Sequence, residues 1–273
     1  MTDPTARGPF PLLIAALAVV FATTGATRVR ARATPGAATG PAKVMTAVYL
    51  VPADRQEKRA YREAIEHALT YARAWYWRQL RQSDGGSRTF RIDPDGVRVV
   101  PTARAAAAYA RARGGRETYA TSFFYNVAED ATKGGVDLRD AEHVWVLLVD
   151  ADPNCDQTAS AALPGYAVLP GHHLHGLAGE VPTPLCPTEH PWTDVCRYVG
   201  TVAHESGHAF GLPHPPECPA HPDCAVDVMY WGRDLADARV ILQETDRRTL
   251  SKHPFFVPTP PEDIPAVACA STR

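Results

Sequence analysis

His204-Glu205-Ser206-Gly207-His208-Ala209-Phe210-Gly211-Leu212-Pro213-His214 reads H-E-x-x-H-x-x-G-x-x-H. On a helix, residues four apart lie one above the other on the same face, so the imidazoles of His204 and His208 can reach one metal ion. Glu205 sits beside them without being needed as a ligand, and its expected role is general base toward a water activated by that metal. Gly211 follows His208 by three residues, where a helix can end in a left-handed residue free of any Cβ penalty. The chain can then double back and bring His214 in as a third ligand. Three histidines leave a fourth coordination position open, which is the pattern of a catalytic zinc rather than a structural one.

Asp227-Val228-Met229-Tyr230 lies further along, with Met229 fifteen residues after His214. Together the two stretches resemble the metzincin clan of zinc endopeptidases, in which the third histidine is followed by a tight turn carrying a methionine beneath the metal. Met229 matches that methionine, a soft and adaptable floor for such a site. The resemblance is specific from Val199 to Gly232 and is a matter of layout elsewhere. It implies an α+β fold: a twisted mixed sheet with packed helices, and the active-site helix and Met-turn below a cleft. It also implies hydrolysis of peptide bonds in a polypeptide substrate, with one catalytic Zn²⁺ held by His204, His208 and His214. An edge strand of such a sheet pairs with substrate backbone, and either Val144–Val149 or Tyr166–Leu169 is available for this here. Some members of the clan carry a Tyr two residues after the Met. Here Trp231 stands there and Tyr230 follows the Met directly, so this pair is assigned to a substrate pocket rather than to transition-state stabilisation.

The 273 residues are 45% hydrophobic with a formal net charge of −2, which suits one large domain and points to no nucleic-acid partner. Residues Phe10 to Ala26 are almost all apolar, with Arg7 before them and Arg28, Arg30 and Arg32 after. The segment 1–33 therefore reads as a signal peptide or an uncleaved membrane anchor. Either reading puts the catalytic part outside the cytoplasm, secreted or held at the outer face of the membrane. Residues 34–42, small and Pro/Gly-containing, read as a linker. Residues 43–273 read as the catalytic domain, ending in a Pro-rich tail. All six cysteines fall in the second half. An even number in an exported chain suggests disulfides, with Cys218–Cys224 and then Cys186–Cys196 as the first choices.

Before the motif, residues 45–51 read as a strand. A capping box at Asp54 and Glu57 then opens an amphipathic helix to about Leu80. Arg88 to Val100 reads as two short strands about an Asp93-Pro94-Asp95-Gly96 turn, and Ala103 to Arg113 as a helix. Asp150, Asp152 and Asn154 alternate as calcium ligands would, but lack the Gly and Glu of a helix–loop–helix site. His172, His173 and His175 read as a solvated loop, with a second zinc as the rival. Two other functions share the motif: a zinc hydrolase dedicated to one partner or to a non-protein amide, and a non-catalytic binding module on a protease scaffold. The second requires loss of a ligand or of the base, and none is lost.

Overall fold

The structure is a computed structural model describing residues 43–81, 86–113, 118–186, 192–216, 224, 226–232 and 234–269, with only the backbone at 231. All lie in the unit 41–273. The expected leader (1–33) and linker (34–42), Cys218 and the side chain of Trp231 lie outside the described residues. Among the described residues no helix is long and apolar enough to cross a membrane.

A five-stranded sheet organises the chain. Strands β1 (Val44–Val51), β3 (Arg98–Pro101), β4 (His143–Val149), β5 (Ala161–Leu163) and β6 (Tyr166–Leu169) lie in the order β3-β1-β4-β6-β5. All neighbours are parallel except β5, which runs antiparallel to β6 at one edge. A two-stranded ribbon pairs β2 (Arg88–Thr89) with β7 (Val257–Pro258). The central strands are apolar apart from Thr46 and His143, because both faces of the sheet are covered. Met45, Ala47, Tyr49 and Val51 alternate with Val48 and Leu50 between two cores, as do Val144, Val146 and Leu148 with Trp145, Leu147 and Val149. Helix α2 (Ser122–Lys133) covers one face. Helices α1 (Arg59–Gln79), α3 (Gly171–Leu177) and α4 (Val195–Ala209) cover the other, followed by α5 (Val228–Trp231) and α6 (Glu244–Lys252). This is the mixed sheet with packed helices expected from the sequence.

Several local readings need correction. The edge strands are β3 and β5, not β4 or β6, because β4 and β6 are paired on both sides. Asp54 and Glu57 do not cap α1: Lys58 occupies the N-cap, and Asp54 accepts from the Ala106 amide at 2.7 Å. Arg88–Val100 is no hairpin. Gly96 turns the chain at φ 78°, but β2 joins β7 and β3 joins β1. Residues 103–113 form only a short 3₁₀ turn at Ala106–Ala108. Tertiary contacts outweigh alanine's helix propensity there, with Arg104 drawn to Asp130 and Tyr109 fully buried.

The histidine cluster is helix α3 rather than a solvated loop, and His173 is buried against the rings of Trp192 and Tyr198. Asp150, Asp152 and Asn154 do not converge as calcium ligands. Asp152 accepts from the His172 amide at 2.7 Å, Asp150 is buried facing His175, and Asn154 donates to the Tyr119 hydroxyl. Cys186 is bonded to Cys155, not Cys196, and Cys224 is in a disulfide.

Candidate metal centre

Helix α4 carries the first half of the motif. Asp194 caps it, its carboxylate accepting from the Cys196 amide at 2.8 Å. Such a cap contributes about 1 kcal/mol. Val199, Val202 and Ala203 point into the core, and the Tyr76 hydroxyl of α1 donates to the Ala203 carbonyl at 2.8 Å. Phe210, just past the helix, closes an aromatic cluster with Tyr76, Phe90 and Phe256. The helix therefore cannot rotate about its axis without breaking a buried hydrogen bond and a packed ring cluster.

The end of α4 is a Schellman turn. The Leu212 amide donates to the Gly207 carbonyl at 2.9 Å and the Gly211 amide to the His208 carbonyl at 2.8 Å, with Gly211 at φ 87°. A left-handed residue here reverses the chain, and glycine takes that conformation without strain. The reversal brings His214 back over His208, their rings 4.6 Å apart between centroids.

The three imidazoles then point their Nε2 atoms at one place. His208 Nε2 lies 3.1 Å and His214 Nε2 3.4 Å from His204 Nε2. These are not hydrogen bonds between rings. His204 Nδ1 faces the Val228 carbonyl at 2.8 Å and His208 Nδ1 the Leu212 carbonyl at 2.7 Å. A carbonyl can only accept, so each Nδ1 carries the proton. Burial, and for His204 also the neighbouring His208, lowers both pKa values, that of His204 to about 3. Both rings are thus neutral near pH 7, and their Nε2 atoms are bare lone pairs facing each other. Such an arrangement is repulsive unless a cation lies between them. Tetrahedral zinc with Zn–N near 2.05 Å needs N···N separations of roughly 3.3 Å. The observed 3.1 and 3.4 Å bracket that value, so these residues fit zinc.

Glu205 is 5% exposed, and its Oε2 has no hydrogen-bond partner. Burial pushes its carboxyl up to about 8. It lies one residue along from His204, a buried acid with a free oxygen.

Met229 is fully buried under α4. A Cβ on Gly207 would stand 2.4 Å from its Sδ, so Gly207 is the gap into which the methionine fits. Tyr230 is half-buried on α5, and Trp231 ends that helix. The structure thus brings His204, Glu205, His208, Gly211, His214 and Met229 together.

Three residues that motif reading passes over support the centre. Asp227 caps α5, accepting from the Met229 amide at 2.8 Å, while the Val228 amide donates to the Ile241 carbonyl. That fixes the Val228 carbonyl, which in turn orients His204. An Asp directly before an apolar Val-Met-Tyr run is an N-cap signal, so Asp227 was findable. A glycine inside a helix, as Gly207 is, signals a packing reason in the sequence as well. The Gly165 amide, at the β5–β6 turn, donates to the Ala209 carbonyl at 2.8 Å and ties edge strand β5 to the residue after His208. Nothing local in the sequence signals that contact.

No protein-family model and no curated protein sequence matches the chain. Solved structures similar to it include catalytically inactive OgpA from Akkermansia muciniphila, in complex with an O-glycopeptide (glycodrosocin) substrate. That chain is 14% identical with a TM-score of 0.49, over 80% of this chain and 62% of that one. A zinc-dependent peptidase from Methanocorpusculum labreanum is 14% identical with a TM-score of 0.32, over 74% of this chain and 98% of that one. Metalloproteinase-II from Bacteroides fragilis is 14% identical with a TM-score of 0.37, over 78% of this chain and 53% of that one. The chain thus spans less than two thirds of OgpA.

Proposed function

We propose that this chain is a zinc-dependent endopeptidase of the metzincin type. The observation that carries the reading is the convergence of three Nε2 atoms at zinc spacing, with the buried carboxyl of Glu205 one residue along from His204. His204, His208 and His214 would hold the ion. When bound, zinc supplies Lewis acidity to a scissile carbonyl and to a water. Glu205 takes the proton from that water and later delivers it to the leaving amine. The buried Glu205 carboxyl, with its free oxygen, would serve as the base once a bound cation drew its pKa down. The imidazoles of His204 and His208 stay neutral throughout, because their Nδ1–H groups are committed to backbone carbonyls.

The substrate is an extended polypeptide. Strand β5 has a partner on one side only among the described residues, and its exposed Leu163 lies two residues before the glycine tied to the end of α4. A peptide strand added to β5 runs past the histidines, held by main-chain hydrogen bonds. Tyr230 and Trp231 lie on α5 next to the residue whose carbonyl orients His204, which supports their assignment to a substrate pocket. The Cys155–Cys186 bridge supports a location outside the cytoplasm. Attachment through residues 10–26 is part of the same proposal.

Replacing Glu205 with Gln tests the reading. The variant should keep about one zinc at the histidine site and lose turnover on a peptide library by at least ~10²-fold. Unchanged peptidase activity would remove Glu205 from the mechanism. Cleavage of one partner only would favour the dedicated hydrolase.

A further inference from the structure

A second cluster of metal-ligating side chains lies at the opposite end of α4 from His208. One ligand atom each from Asp194, Cys196 and Asp234 lies within 4.8 Å of the others. The Cys196 thiol is also hydrogen-bonded to the thiol of Cys269, which arrives from the C-terminal tail. Both thiols are free and both are over nine-tenths buried. Cys196 therefore meets two carboxylates and, separately, the thiol of Cys269, so that three stretches of chain converge on it.

Helix α1 holds the incoming pieces in place. Its Tyr71 hydroxyl donates to the Leu235 carbonyl at 3.2 Å, next to Asp234, and His67 Nε2 faces the Cys269 carbonyl at 3.0 Å. Outer hydrogen bonds of this kind are what orient ligands in metal sites. The carboxylates are on the more open side, Asp194 exposed and Asp234 half-buried, while the sulfurs are inside. A cation can enter from that side.

We propose that Asp194, Cys196, Asp234 and Cys269 form a second, structural zinc site that ties the C-terminal tail to the start of the active-site helix. Paired thiolate and carboxylate ligands suit Zn²⁺, and four protein donors close the coordination sphere as structural sites do. With Zn–S near 2.3 Å and Zn–O near 2.0 Å, tetrahedral donors stand roughly 3.5 Å apart. Closing the sphere requires the Cys269 thiol to swing toward the carboxylates, whose capping oxygens stay on the Cys196 and Ala236 amides. Binding displaces the two thiol protons to solvent, and no oxidation is involved. The two carboxylates that converge on Cys196 distinguish this site from a third disulfide, which would have no use for them.

The full chain should be stripped of metal and titrated with Co²⁺ while absorbance is followed. Histidine ligands give no thiolate-to-cobalt charge-transfer band, so such a band reports this site alone. The expected result is a strong near-ultraviolet band saturating at about one Co²⁺ per chain, and about two zinc ions in the zinc-loaded protein. Cys196→Ser with Cys269→Ser should lose the band and one zinc. His204→Ala with His208→Ala should keep the band and lose the other. The wild-type titration decides even where the variants fail to fold. Absence of the band, or recovery of Cys196 and Cys269 as a disulfide by peptide mapping, overturns the proposal. Zinc at the histidines alone overturns it while leaving the peptidase reading intact. A band from a chain with no metal at the histidines does the reverse.

Discussion

Gly207→Ala is the substitution on which the geometry of the centre can be tried most sharply. Inside an ordinary exposed helix, replacing Gly by Ala stabilises by about 0.8–1.0 kcal/mol. Here the new Cβ would stand 2.4 Å from Met229 Sδ, 3.0 Å from Met229 Cε and 3.0 Å from the Tyr76 hydroxyl. Met229 is fully buried, and Tyr76 is held by its hydrogen bond to Ala203. Overpacking of a filled core costs about 1–3 kcal/mol. Weakening a buried hydroxyl–carbonyl bond adds about 1 kcal/mol. These two terms exceed the propensity gain, so the net is a destabilisation of about 1–3 kcal/mol. The assay is urea unfolding of the zinc-free chain, with the same substitution repeated on a Met229→Ala background. Met229→Ala alone should cost about 2–5 kcal/mol. On that background the space is open, and Gly207→Ala should become neutral or stabilising. A single variant more stable than the parent, or equal effects in both backgrounds, would refute the claim that Met229 fills the gap at Gly207.

Further outcomes follow from other contacts. Asp227→Ala removes the cap that fixes the Val228 carbonyl, and zinc affinity by chelator competition should fall about 10–100-fold. An unchanged affinity would mean that the Val228 carbonyl holds its position without the cap. Cys155→Ser with Cys186→Ser opens a loop of sequence separation 31 and should cost about 2–4 kcal/mol in denaturant unfolding. A loss below about half a kcal/mol would show the loop to be ordered without the bridge.

Glu129, paired with Lys133 and Arg113, has its carboxyl lowered to about 2 by those two cations. Its folded pKa is depressed, so its contribution is complete above the ordinary carboxylate range near 4.3 and is lost as pH falls toward 2. The pair is partly exposed, which limits the effect to about 1 kcal/mol or less. Glu129→Gln should therefore lower stability at pH 6 and leave it unchanged near pH 2, as read by thermal unfolding.

The chemistry of the centre was legible because it is local. His204 and His208 are one helical turn apart, and Gly211 reverses the chain three residues later, so spacing alone places ligands on one face. The strands Val44–Val51 and His143–Val149 were legible for a similar reason: a run of apolar residues too short for a helix. The two faces of those strands could not be told apart by periodicity, since both are buried.

Tertiary structure decided everything that depends on pairing distant segments. It placed β5 at an edge, although Ala161–Leu163 is shorter and less apolar than β4 or β6, because an edge is a property of sheet order. It sent β2 and β3 to different partners across the Asp93–Gly96 turn, and it unwound an alanine-rich stretch in favour of Arg104–Asp130 and a buried Tyr109. It matched Gly207 to Met229 and Cys155 to Cys186, and it brought Cys269 against Cys196. Local spacing is set by backbone geometry and can be read along the chain. Contacts between segments are chosen by the packing of the whole core, and no single stretch contains them.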